Sequence, residues 1–191
     1  MTVLAPPRHP IVQSALDDAR TWCASEIIDD RPALAHAVKV AVTIGAHIPD
    51  PGTDLIAAAL LHDSPDLAPN TLDLDELLTT RYGPTVRRIV RVMHNEHRSL
   101  DTDHPQIVVD DHQVLLASTA DRIVALSSLM SRARKSGDIT GFFTRRRPLL
   151  LLLPYFHQCH AAGAGRVPDT MSAALATALT RLDDATTGIP R

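Results

Sequence analysis

Cysteine is nearly absent from this chain: Cys23 and Cys159 are the only two in 191 residues. Two thiols without metal-ligand spacing exclude a disulfide framework and a cysteine-held zinc, and they favour a reducing, cytoplasmic setting. Aromatic residues make up only 3%, and runs that alternate apolar with polar are scarce, so strands have little to build from. No sign of charge dominates either. Lys and Arg total 19 against 22 Asp and Glu, a net charge of −3, which leaves no basic excess for a nucleic acid polymer or an anionic membrane. Long apolar runs are missing as well: Leu149 to Leu153 falls far short of the roughly 18 residues that span a bilayer, and Pro154 follows it at once. The opening, with Pro6-Pro7 after a short apolar stretch, does not read as a signal peptide or anchor, so export is not expected.

What is present is apolar residues at helical spacing. With 45% hydrophobic residues the chain can bury a sizeable core as one compact domain over 1–191. The periodicity predicts an all-α bundle of about eight helices near 11–28, 32–47, 53–62, 73–81, 84–95, 106–133, 139–162 and 169–184, with tails at 1–9 and 185–191. The breaks have chemical causes. Ile48-Pro-Asp-Pro-Gly52 cannot continue a helix, because two prolines lack amide donors; Thr53 or Asp54 then caps the next one. Tyr82-Gly83-Pro84 ends one helix and opens another. Residues 64–71 are expected as a loop.

Four polar residues stand where helical packing alone would not put them. His62-Asp63 terminates the apolar run Leu55-Ile-Ala-Ala-Ala-Leu-Leu61, His36 interrupts Ala33 to Val42, and Asp121 interrupts Leu115 to Leu126. Imidazole and carboxylate beside packed aliphatic surface lose solvation, and a cation restores the lost bonding. His36, His62, Asp63 and Asp121 together offer a mixed nitrogen and oxygen set suited to manganese, iron or zinc.

The chain resembles the HD superfamily of metal-dependent phosphohydrolases, in particular the hydrolase domain of RelA/SpoT-type alarmone enzymes and their small stand-alone relatives. Over roughly residues 15–160 the resemblance rests on His36-Ala-Val-Lys-Val-Ala41, Ala57-Ala-Ala-Leu-Leu-His-Asp63, Leu74-Asp-Glu-Leu-Leu78 with Tyr82-Gly-Pro-Thr-Val86, and Ser118-Thr-Ala-Asp-Arg122, in family order. It implies an all-α fold holding one divalent ion, usually manganese, on His36, His62, Asp63 and Asp121. It also implies substrate contacts from Ser128, where the family usually has threonine, and from Arg145 and Arg146. For the arginines a solvated helix face is the competing reading.

Several positions depart from the family. Its Glu-Asp pair after the His-Asp motif stands here as Pro65-Asp66, its substrate asparagine as Ala125, and its basic pair near the guanosine as Ser25-Glu26. Acid–base work then falls to Asp66, three residues beyond Asp63. The function expected is hydrolysis of a nucleotide or small phosphoester, with a (p)ppGpp-like pyrophosphate as one candidate. The alternative is a nucleotide-binding regulatory protein that keeps the cage without efficient turnover. A small phosphorylated metabolite or nucleotide is the expected partner, and an oligomer is left open. His94 and His97 read as two surface histidines on one helix turn, His157 and His160 as core edge or surface. Arg81, Arg87, Arg88 and Arg91 read as a stretch neutralised by acidic neighbours, Arg122 as a partner of a carboxylate, and Asp110-Asp111 as a helix start.

Overall fold

The computed structural model describes residues 3–28 and 31–189. Among them the chain is all-α, with eleven helices: α1 (Pro10–Trp22), α2 (Ala33–His47), α3 (Thr53–Leu61), α4 (Ser64–Leu67), α5 (Leu74–Leu77), α6 (Pro84–Ser99), α7 (His112–Lys135), α8 (Ile139–Thr144), α9 (Arg147–Leu151), α10 (Leu153–Gly163) and α11 (Asp169–Thr186). A π-helical turn, Leu78–Tyr82, prolongs α5. The one extended feature is a two-residue antiparallel pairing of Ile27 with Pro32 and Ile28 with Arg31.

α3 is the centre because its sequence leaves it no polar face: every residue from Leu55 to Leu61 is buried. A helix apolar all round must be enclosed, and α1, α2, α6 and α7 enclose it. α7 runs 24 residues alongside and also meets α2, α6, α10 and α11. It is long and apolar enough to cross a bilayer, yet 78% of that stretch is buried against its neighbours, so its composition is that of a core helix.

The expected boundaries shift where local chemistry competes with periodicity. The helix expected over 11–28 stops at Trp22. The one expected over 106–133 begins only at His112, where the Asp111 side chain accepts from the Val114 amide and caps it. The span 139–162 splits into α8, α9 and α10, with Pro148 in the first turn of α9 and Pro154 in the first turn of α10; proline cannot supply the amide an unbroken helix needs. Part of the expected 64–71 loop is helical, as α4. Neither Thr53 nor Asp54 caps α3; the cap position is Gly52. Gly83 adopts φ +92°, a left-handed conformation open to glycine, and lets Pro84 start α6. At the ends, Val3, Leu4, Ala185 and Ile189 pack against the core, and Val3 fills the space that a side chain at Gly45 would take. Residues expected as tails therefore contribute to it; residues 1–2 and 190–191 lie outside those described.

The surface arginines are spent as expected. Arg81 pairs with Asp18, Arg87 and Arg91 with Asp75, and Arg88 with Asp111.

Candidate metal centre

Three packed helices each deliver one donor to a common point. α2 brings His36, α7 brings Asp121, and His62 follows directly on the last turn of α3. One donor atom from each lies within 4.8 Å of the others, and all three residues are buried. His36 Nε2 is 2.7 Å from Asp121 Oδ1.

The hydrogen bonding of His62 decides what this cluster is. Its Nδ1 is 2.8 Å from the Ala59 carbonyl oxygen. A carbonyl only accepts, so Nδ1 carries the proton, and in a neutral ring Nε2 presents a lone pair. Burial first, and then the neighbouring His36 and His97, push the His62 pKa below that of an ordinary histidine despite the opposing pull of Asp63 and Asp121, so the ring is neutral near pH 7. Its Nε2 has no hydrogen-bond partner, yet faces Asp63 Oδ1 at 3.4 Å and Asp121 Oδ1 at 3.8 Å. Asp63 Oδ2 is likewise buried without a partner. Acceptors turned on one another with no proton between them are a costly arrangement that a cation resolves. These residues therefore fit a divalent metal, which His36, His62 and Asp121 would hold between them.

Asp121 is held by a further residue. His97, on α6, places Nε2 3.1 Å from Asp121 Oδ2, and its ring centroid lies 5.9 Å from that of His62. Burial disfavours the Asp121 carboxylate, but the hydrogen bonds from His36 and His97 outweigh it and keep its pKa well below the usual range. For His97 the order is the same: burial lowers its pKa, and the hydrogen bond to Asp121 more than offsets this. His94, one turn earlier on α6, sets Nε2 3.2 Å from Asp66 Oδ1. The two histidines expected as ordinary surface residues are thus both half-buried partners of site carboxylates.

Beneath them lies a buried polar network. Glu96, 2% exposed, accepts from the Ser118 hydroxyl, from the Val108 amide at 2.9 Å and from Arg122 Nη2 at 3.3 Å. Arg122 Nη2 also donates to Tyr155 Oη at 2.7 Å. Arg122 thus pairs with a carboxylate, as expected, and the network ties α6, α7, α10 and the 100–111 connection together beside the donors. Glu96 follows Ile89 and Met93 along the buried stripe of α6. A carboxylate in an apolar stripe is the signal that could have flagged it.

A cleft of about 950 Å³ opens above the donors. His36, Asp63, Asp121 and His97 line its floor, and Asp66, Ala125 and Leu126 of α7, Leu149 of α9 and Phe156 of α10 line it as well. Ser128, Arg145 and Arg146 are not among the residues that line it; Arg146 stacks over the Phe142 ring at 3.9 Å. His157 is paired with Asp183 and His160 with Ser172, away from the donors.

Neither the known protein families nor the curated proteins give a match to the sequence. Among solved structures the fold is similar to a metazoan ortholog of SpoT, described as hydrolysing ppGpp and playing a role in starvation responses. The identity is 15%, the TM-score is 0.61, and the alignment covers 93% of this chain and 98% of that one. The two proteins therefore share one all-α fold over most of both lengths.

Proposed function

We propose that this protein is a metal-dependent phosphohydrolase acting on a nucleotide or another small phosphoester. The observation that carries the reading is the unprotonated, unpartnered His62 Nε2 facing two carboxylates at the floor of a cleft of substrate size. His36, His62, Asp63 and Asp121 hold one divalent ion, manganese by preference, with iron or zinc accepted by the same donors. The ion supplies a Lewis acid that lowers the pKa of water and offsets charge on phosphate oxygens. Asp66, itself held by His94, accepts the proton of the attacking water; no second acidic residue adjoins it, because Pro65 stands there. The likeness to a ppGpp-hydrolysing neighbour makes an alarmone-type pyrophosphate one candidate substrate, and two free, buried thiols suit a cytoplasmic setting.

The test is metal analysis of the purified protein, followed by phosphate and pyrophosphate release from a nucleotide panel with added manganese. The expected result is about one ion per chain and turnover that Asp63→Ala abolishes. Absence of bound metal would overturn the reading. Bound metal and tight nucleotide binding without turnover would instead favour a regulatory nucleotide-binding protein, a reading that Pro65 and Ala125 support.

A further inference from the structure

We infer that the cleft takes a phosphate monoester of an uncharged, largely apolar alcohol and discriminates against nucleotides phosphorylated at both ends. This rests on the phosphohydrolase reading and names the substrate class of that same site.

The charge lining the cleft is the first ground. Five carboxylates face it, from Asp63, Asp66, Asp101, Asp103 and Asp121. Asp63 and Asp121 are absorbed by the cation, and Asp66 is bonded to His94. Asp101 and Asp103 remain, both exposed in the connection after α6. A phosphate seated on the floor meets the ion and His97. A second phosphate on the same molecule adds negative charge to a cleft that these two carboxylates already line, where a doubly phosphorylated substrate needs cations.

The basic lining does not answer that need. Arg122 is 6% exposed and committed to Glu96 and Tyr155; withdrawing it would leave a buried carboxylate without its counter-charge. Arg132 lies two helical turns further along α7 than Ala125. Ala125 itself presents only a methyl group.

The apolar part of the lining is the second ground. Leu126 and Leu129 of α7, Leu149 and Leu151 of α9, Leu152 and Phe156 form it. Leu151 is 64% exposed, an apolar side chain left to water beside a concave apolar surface, where an organic body gains by displacing that water. At about 950 Å³ the space accommodates a body of nucleoside size or larger. The reaction balances simply. Water oxygen bonds to phosphorus as the ester P–O bond breaks, one water proton passes to Asp66, and Asp66 returns that proton to the departing alkoxide, which leaves as the alcohol while the other water proton stays on the phosphate.

The experiment uses the full chain loaded with manganese. Phenyl and naphthyl phosphate, a nucleoside 5′-monophosphate and guanosine 3′,5′-bis(diphosphate) are compared by calorimetric affinity and by kcat/KM. The aryl phosphates are expected to exceed the bis(diphosphate) by about tenfold or more on both measures. Leu151→Asp, at an exposed position that leaves the core intact, is expected to raise KM for naphthyl phosphate about tenfold. Asp101→Lys combined with Asp103→Lys is expected to tighten binding of the bis(diphosphate) by a similar factor. Preference for the bis(diphosphate), or indifference to Leu151→Asp, would overturn the inference. If no ester is hydrolysed by the loaded protein, the phosphohydrolase reading fails, and the affinities still decide which class the cleft prefers.

Discussion

His97 shows how much a single imidazole outside the ligand set can do. Its Nε2 holds Asp121 Oδ2 at 3.1 Å while His36 holds Oδ1, so the carboxylate is fixed in rotation before any ion arrives. Residues that orient a ligand in this way are typically worth about 10–100-fold in metal affinity. His97→Ala is therefore expected to weaken manganese binding about tenfold in a calorimetric titration, and His97→Gln, which keeps a donor of similar reach, to recover part of the loss. Equal affinity in the alanine variant would show that the contact is incidental. Glu96 poses a different case, a buried charge paired with Arg122. Glu96→Ala strands the guanidinium in the interior and is expected to cost about 3–5 kcal/mol in urea denaturation; a loss below about 1 kcal/mol would mean that water reaches the pair. That His36, His62 and Asp121 come together was legible in the sequence because each interrupts or ends an apolar stretch, and desolvation without a partner is conspicuous. His97 was not, because α6 between Arg87 and Arg98 reads as a polar surface helix, and only the approach of α7 turns that face inward.

Among elements, the π-helical turn at Leu78–Tyr82 joins α5 to α6 and packs against α1. Tyr82, almost wholly buried, donates its hydroxyl to Asp18 of α1, and Arg81 pairs with the same carboxylate. Burial first, and then the Asp18 hydrogen bond, push the phenol pKa above its ordinary value of 10.0. A group held protonated by the fold contributes stability that is complete below that value. The contribution disappears as pH rises beyond it, because the unfolded chain ionises first. Stability measured by denaturant is accordingly expected to fall between pH 9 and 12, and Tyr82→Phe to flatten that fall while costing about 1 kcal/mol at pH 7. A variant with the wild-type slope would move the titration elsewhere. The same level shows where periodicity misleads: residues 139–162 carry an unbroken helical pattern, yet Pro148 and Pro154 cut it into three. That cut lets Leu149 and Leu151 turn toward the cleft. The helices at 32–47 and 169–184 were read nearly to the residue, having no internal proline to compete.

For the whole molecule, the donors come from helices that meet only once the bundle has closed, so an ion that binds there favours the folded chain over the unfolded one. At a hundredfold excess over its Kd such a ligand adds about 2.7 kcal/mol, or roughly 5–10 °C in Tm for a chain of this length. Manganese is expected to produce that shift in a thermal melt and a chelator to abolish it, with Asp121→Asn insensitive to both. A melt that ignores manganese would count against the donors acting together. The proline-divided wall carries one more implication. α7 packs against α2, α3, α6, α8, α10 and α11, whereas α9 buries only Leu150. In deuterated buffer, the amides of α7 should be among the last to exchange and those of α9 among the first, so the cleft would soften from its leucine side while its floor stays rigid.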